Sequence, residues 1–111
     1  MDKLSHYRAA IKDILKKHAA VPHHYGQITD RVVCDEENDN YLWLSEGWNK
    51  DRRVHHCIAH LEIINGKIWI QKDRTEDGIA LYLELEGIPK QDIVLGFHPA
   101  DVRPLTEYAV A

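Results

Sequence analysis

The chain has little of what would mark a disulfide-stapled, membrane-bound or repetitive protein. Its 111 residues include two cysteines, four prolines and six glycines, without an internal repeat or a low-complexity run. No apolar stretch approaches the length of a membrane span, and the charged residues after Met1 are unlike a secretory signal. We therefore expect no membrane association, a cytoplasmic location, and reduced thiols at Cys34 and Cys57.

Positive charge is also scarce. Lys and Arg number 14 against 18 Asp and Glu, so the net charge is −4 with neutral histidines. A protein of this charge is not drawn as a whole to nucleic-acid phosphates, and only local basic patches remain open. The hydrophobic fraction of 44% and the charged fraction of 29% are typical of globular proteins, which predicts a single domain over residues 1–111.

Motifs of known catalytic or cofactor chemistry are missing as well. The sequence has no Gly-rich phosphate loop, nucleophile elbow, HExxH or C-x-x-C. Its histidines invite a metal hypothesis, but His56 and His60 would lie about 13 Å apart along one strand, whereas zinc ligands converge to about 2 Å from the ion. We predict no metal and no cofactor. The histidines are His6, His18, His23, His24, His55, His56, His60 and His98.

The strongest local signal that is present is Asn65-Gly66 between two apolar segments. Both residues readily adopt positive φ, which is typical of a two-residue type I′ hairpin turn. Such a turn fixes which residues lie opposite one another on the two strands. The predicted pairs are Ile64 with Lys67, Ile63 with Ile68, Glu62 with Trp69, Leu61 with Ile70, and His60 with Gln71.

This pairing predicts two chemically different faces for the hairpin. One is a core face, made of Cys57, Leu61, Ile63, Ile68 and Ile70. The other is a set that we call the outer quartet, beside Ile58, and it could present a polar sheet surface or a binding surface with an aromatic ring. The outer quartet consists of His60, Glu62, Trp69 and Gln71.

The remaining periodicities complete an α+β fold. Apolar residues recur at helical spacing from residue 4 to about 20, and strands are predicted over 27–34, 41–48, 52–64 and 67–72. A second helix is predicted after Thr75 as its N-cap and before Gly87, and residues 93–97 form a fifth strand or a buried extended segment. The predicted architecture is an antiparallel β-meander of four to five strands, packed on one face by an N-terminal helix and a second helix.

Segments that follow one another over nearly the whole chain carry a family resemblance. They are Met1-Asp2-Lys3-Leu4 with Tyr7 and Arg8, Gly47-Trp48, Asp51-Arg52-Arg53, His60, Gly66-Lys67-Ile68-Trp69-Ile70-Gln71, Thr75-Glu76-Asp77-Gly78-Ile79-Ala80, Gly87-Ile88-Pro89, Ile93-Val94-Leu95, Phe97-His98-Pro99, Arg103 and Tyr108-Ala109-Val110-Ala111. Together they resemble the XisI family. Its members are described as excision controlling factors of the fdxN element, a DNA segment removed from cyanobacterial chromosomes during heterocyst differentiation.

The resemblance implies a regulatory accessory protein rather than an enzyme. In that family's setting an XisH-like protein is the expected partner, and a separate site-specific recombinase cleaves the DNA. We predict that partner contact involves the outer quartet or the C-terminal tail, and that open sheet edges favour homo-oligomers. The predicted partner-binding residues are His60, Glu62, Trp69, Gln71, Arg52, Arg53, His98 and Arg103.

Two alternatives stay open. One is direct DNA binding through Arg52, Arg53 and the lysines of the first helix, which would weaken steeply with salt. The other is a small hydrolase in which His60 is a general base and Glu62 orients it.

Overall fold

The structure is a computed structural model that describes residues 2–111. None of its helices is both long enough and apolar enough to cross a lipid bilayer. Its regular elements are α1 (Lys3–Ala19), β1 (Gln27–Asp35), β2 (Asn40–Asn49), β3 (Arg52–Ile64), β4 (Lys67–Asp73), α2 (Ile79–Leu85) and β5 (Ile93–Leu95), with 3₁₀ turns at Lys90–Asp92 and Arg103–Leu105.

The strands form one sheet in the order β1-β2-β3-β4-β5. The first four are antiparallel neighbours, which confirms the predicted meander. The fifth strand joins β4 in parallel, because α2 carries the chain back across the sheet before β5 begins. Ala109 then forms a parallel bridge to Val94, so the C-terminal segment, residues 96–111, docks beside β5. The α+β class is confirmed, and the sheet is mixed.

The Asn65-Gly66 hairpin has the predicted geometry near the turn. Asn65 has φ 51° and Gly66 has φ 78°, as a type I′ turn requires. Four of the predicted pairs are present. The fifth is wrong: His60 lies opposite Lys72, because Gln71 is the extra residue of a β-bulge.

A second bulge lies in β3 and corrects the predicted core face. The register shifts between Trp43 and Leu44, which lie opposite Ala59 and Cys57, so Ile58 is the extra residue. Side chains alternate along a strand, and the insertion therefore moves Cys57 to the side away from the helices and Ile58 to the helix side. Both cysteines are free thiols.

Both helices pack on the same side of the sheet, as predicted. We call this the helix side and the opposite surface the outer side. Burial is complete or nearly complete for an apolar stripe of each helix and for the strand residues beneath them. These residues are Tyr7, Ala10, Ile11, Ile14 and Leu15 of α1, Ile79, Ala80 and Leu83 of α2, and Tyr41, Ala59, Leu61, Ile68 and Ile70 of the sheet.

The second helix begins later than predicted. Its N-cap is Gly78, with φ 87° and no side-chain capping bond of its own, so the N-cap role predicted for Thr75 is wrong. The Asp73 carboxylate, which lies outside the helix, caps it instead. It accepts hydrogen bonds from the Ile79 N–H at 2.7 Å and from the Thr75 hydroxyl at 2.6 Å. The carboxylate thereby satisfies a donor that the helix leaves unpaired.

A charged network fastens α1 to the start of β2. The Arg8 guanidinium donates to both oxygens of Asp39 at 2.8 and 3.1 Å, and the Tyr41 hydroxyl donates to the same carboxylate at 2.9 Å. The bond from Arg8 is the main reason that the pKa of Asp39 lies below its ordinary value. Burial of the Tyr41 side chain, and after it the hydrogen bond to Asp39, raises the pKa of Tyr41.

We predict that Asp39→Asn lowers stability at pH 7 by about 1–2 kcal/mol, because a charge-assisted bond is lost. The depressed pKa of Asp39 means that its contribution is present above the ordinary value of 3.8 and disappears as the pH falls below it. Urea unfolding at pH 7 and pH 3 should therefore show a smaller acid-induced loss in the variant than in the wild type. An equal loss in both proteins would contradict this role.

Gly47 marks the tightest approach between β1 and β2. Its φ is 153°, and a β-carbon at this position would lie 1.9 Å from the carbonyl oxygen of Gln27. At Gly66 a β-carbon would have no neighbour nearer than 3.8 Å, although φ there is also positive. Both positions have a positive φ, but only residue 47 is also sterically crowded.

We predict that Gly47→Ala destabilises the protein by more than about 3 kcal/mol, since the backbone of β1 must move to admit the methyl group. Gly66→Ala, the matched control, should cost only about 1–2 kcal/mol for its left-handed backbone. Denaturant titration of the two variants checks the difference. Equal losses would show that β1 adapts freely to a side chain at residue 47.

Candidate functional site: the outer side of the sheet

The outer side is the surface that neither helix covers. Val33 is 44% exposed there, and Leu42 and Leu44 are half-buried. Val33 lies opposite Leu42, which in turn lies opposite His60, so an apolar row leads across the strands to the outer quartet. The outer side therefore carries an apolar row of side chains as well as polar ones, whereas the sequence indicated only its polar part.

Hydrogen bonds hold the outer quartet in place. Glu62 lies opposite Trp69 and accepts from the Gln71 amide at 3.2 Å. His60 Nε2 lies 2.8 Å from Asn40 Oδ1, and because that oxygen can only accept, Nε2 carries the proton. His60 and Glu62 therefore have separate partners and form no hydrogen bond with each other. All four side chains of the quartet remain partly accessible.

The C-terminal segment closes one end of this surface through Arg103. Its guanidinium lies 5.0 Å from the centroid of the Trp69 ring, a cation–π geometry. The same side chain donates to the carbonyl oxygens of His98 at 3.0 Å and Val110 at 3.4 Å. Of the predicted partner-binding residues, Arg103 thus lies beside Trp69, and His98 is joined to Arg103 through its backbone carbonyl.

Gly96 allows the segment to lie close to the quartet. A β-carbon at residue 96 would lie 2.6 Å from the Gln71 amide oxygen and 3.1 Å from the Trp69 ring. Beyond this contact the segment exposes apolar side chains to solvent: Phe97 at 46%, Leu105 at 84% and Val110 at 51%.

The two arginines predicted to form a basic pair lie on opposite sides of the sheet. Arg53 is on the outer side, 5.5 Å from the Trp48 ring centroid, and about 23 Å along the strand from His60. Arg52 is on the helix side. Four of the five Lys and Arg residues of α1, all but Lys16, form ion pairs with acids: Lys3 with Asp92, Arg8 with Asp39, Lys12 with Glu36 and Lys17 with Asp13.

Polar residues on the helix side were missed by the sequence analysis. Side chains alternate along a strand, so Asp30 points to the same side as Ile28 and Val32, and Ser45 points to the same side as Trp43. This alternation was the sequence signal that could have placed both residues on the helix side. Ser45 is 3% exposed, and the Asp30 side chain is 5% exposed. The indole N–H of Trp43 is buried without a hydrogen-bond partner.

His18 is held against this region by its own helix. Its Nδ1 lies 2.8 Å from the carbonyl oxygen of Ile14, which fixes the proton on Nδ1. The ring meets Tyr82 edge-on at 4.7 Å between centroids. Among residues 2–111 no group of three or more His, Cys, Asp or Glu side chains is placed to hold a metal ion.

The fold and its exposed outer side define a class of small α+β proteins with both helices on one side of a mixed five-stranded sheet. The chain belongs to the XisI family, whose model, described as XisI protein, matches residues 1–110. No curated protein is similar enough to the chain to be matched.

Two solved structures, both of proteins from Anabaena variabilis ATCC 29413, are similar over 99% of this chain and 100% of their own. One is the fdxN element excision controlling factor XisI, 46% identical with a TM-score of 0.85. The other is a XisI-like protein, 31% identical with a TM-score of 0.88. The family predicted from the sequence is confirmed.

We predict that Arg103→Ala loosens the C-terminal segment without unfolding the sheet, because one side chain makes three of its contacts. Hydrogen exchange should speed up for amides of residues 98–110 and remain slow in β2 and β3. Arg53→Ala, which removes the equivalent contact with Trp48, is the control and should leave the segment unchanged. If exchange in the segment stays slow in both variants, Arg103 does not hold the segment in place.

Proposed function

We propose that this protein is a regulatory accessory factor of site-specific DNA excision that binds an XisH-like protein and catalyses no reaction itself. Membership of the XisI family supports the regulatory part, because the similar solved structure carries the name of an excision controlling factor. The proposal extends that role to this chain and assigns strand cleavage to a separate recombinase.

The observation that carries the proposal is the accessible outer side. Both helices pack on the other side, which leaves an apolar row beside a half-buried tryptophan ringed by polar groups. Apolar patches with a polar rim and a central aromatic residue are typical of protein interfaces. Trp69 has its ring oriented by Arg103 before any partner arrives, which reduces the entropy lost on binding.

The arrangement of His60 and Glu62 supports a binding role over hydrolysis. The hydrolase alternative requires Glu62 to lie within hydrogen-bond reach of His60 and to orient it as a general base. His60 bonds the side-chain oxygen of Asn40. Glu62 bonds the side-chain amide of Gln71. These contacts stiffen the surface, which suits a docking site.

The proposal also covers assembly and compartment. β1 is an edge strand with one neighbour, so its free backbone groups could pair with a second copy. Two free thiols are compatible with the reducing cytoplasm, where we place the protein.

Co-purification with an XisH-like protein tests the proposal. We expect Trp69→Ala and Val33→Glu each to weaken the complex at least about tenfold, as hot-spot positions in an interface do. Leu85→Ser is the control, because Leu85 is 75% exposed on α2, on the helix side. Circular dichroism should show native content in all three variants.

Undiminished binding in both outer-side variants would remove the outer side from the proposal. If the wild-type protein does not bind the XisH-like protein, that protein is not its partner. Light scattering of the isolated protein, which measures its mass in solution, decides separately whether it self-associates.

A further inference from the structure

The helices leave one end of the helix side uncovered, and a cavity of about 380 Å³ lies there. Its floor is apolar, formed by Ile28, Val54 and Ile58. Its polar lining includes Arg52, Arg74, His23, His56 and Ser45. We call this space the cationic cavity. The backbone N–H of Arg74 donates to the carbonyl oxygen of Ile58 at 2.9 Å, which holds this arginine at the rim.

The charge of this cavity is opposite to that of the molecule. The chain carries four more acidic than basic residues, yet no carboxylate lines the cavity. Arg52 and Arg74 form no ion pair with any of residues 2–111, whereas Arg8, Arg31 and Arg53 each do. Among the basic side chains that line the cavity, His23 alone has an acidic partner, Asp30 at 3.0 Å. Two free guanidinium groups facing one concave space are a recognition element for an oxyanion.

Ser45 adds an independent observation. The residue is 3% exposed, it lines the cavity, and the side-chain hydrogen bonds among residues 2–111 do not include its hydroxyl. It lies opposite His56 on the neighbouring strand. The hydroxyl itself is not fully buried, because the indole nitrogen of Trp43 is the one side-chain nitrogen or oxygen among residues 2–111 that is buried without a partner. The hydroxyl can therefore donate a hydrogen bond to an anion in the cavity.

A second cavity of about 570 Å³ adjoins the first and shares His23, Ile58 and Arg74 with it. Rings of His18, Trp43 and Tyr82 line this second space together with the carboxylates of Asp30, Glu76 and Asp77. The two cavities have the size of small-molecule sites. The carboxylates disfavour an anionic group in the second cavity, which leaves the first as the place for one.

We propose that the helix side binds a small molecule in which a phosphate or carboxylate group is attached to a flat, largely apolar body. Arg52, Arg74 and Ser45 hold the oxyanion, and the body lies against the Trp43 and Tyr82 rings. A nucleic-acid backbone fits the site less well, because Arg53 faces the other side of the sheet and the anion must reach a buried serine. This site is separate from the outer side and independent of the proposed partner.

NMR titration of the full chain at low salt tests the site with three probes: inorganic phosphate, phenyl phosphate and benzoate. We expect phenyl phosphate or benzoate to bind with a Kd of roughly 1 mM, as ligands of this size do, and more tightly than inorganic phosphate. Shifts should centre on the amides of Ser45 and His56. The phenyl phosphate and benzoate arms distinguish a phosphoryl from a carboxylate ligand.

The matched variants are Arg74→Met and Arg53→Met. We expect Arg74→Met to weaken binding about tenfold or more, and Arg53→Met, on the other side of the sheet, to leave it unchanged. Ser45→Ala should weaken the oxyanion contact without altering the charge. Absence of shifts with all three probes overturns the proposal, as does an equal loss in the two arginine variants.

Discussion

Burial of one side of the sheet is the constraint on which the rest of the structure depends. Each fully buried Ile or Leu contributes about 1.5–3 kcal/mol, and the apolar stripes of both helices supply several such residues against the same strands. Because both helices are used on this side, the other side is left to solvent. The accessible row that leads to Trp69 is therefore a direct consequence of how the core is closed.

Two bulges, one in β3 and one in β4, decide which chemistry appears on which side. Each inserts one residue, and each changes the side to which the following side chains point. The bulge at Ile58 places an apolar floor under the cationic cavity and sends Cys57 outward. Gln71, the extra residue of the bulge in β4, has no residue directly opposite it, and its side-chain amide bonds Glu62 of β3. Single-residue insertions thus determine which side chains line the cavity and which lie on the outer side.

The C-terminal segment ties these features to the edge of the sheet. It bridges to β5 at Ala109 and carries Arg103 over the Trp69 ring. Lys67 adds a bond to the carbonyl oxygen of Ala111 at 2.6 Å. These contacts hold the segment along one border of the outer side.

Local sequence determined the turn at Asn65-Gly66, the first four cross-strand pairs beside it, the amphipathic stripe of α1 and the α+β class, because these depend on backbone preferences and short-range periodicity. Tertiary structure alone decided the parallel placement of β5, the two bulges and the late start of α2 behind Asp73. It also decided that Arg52 and Arg74, residues far apart in the chain, line one cavity. Contacts between distant residues fix these features, since the free energy of burying one whole side of the sheet outweighs what each short segment prefers by itself.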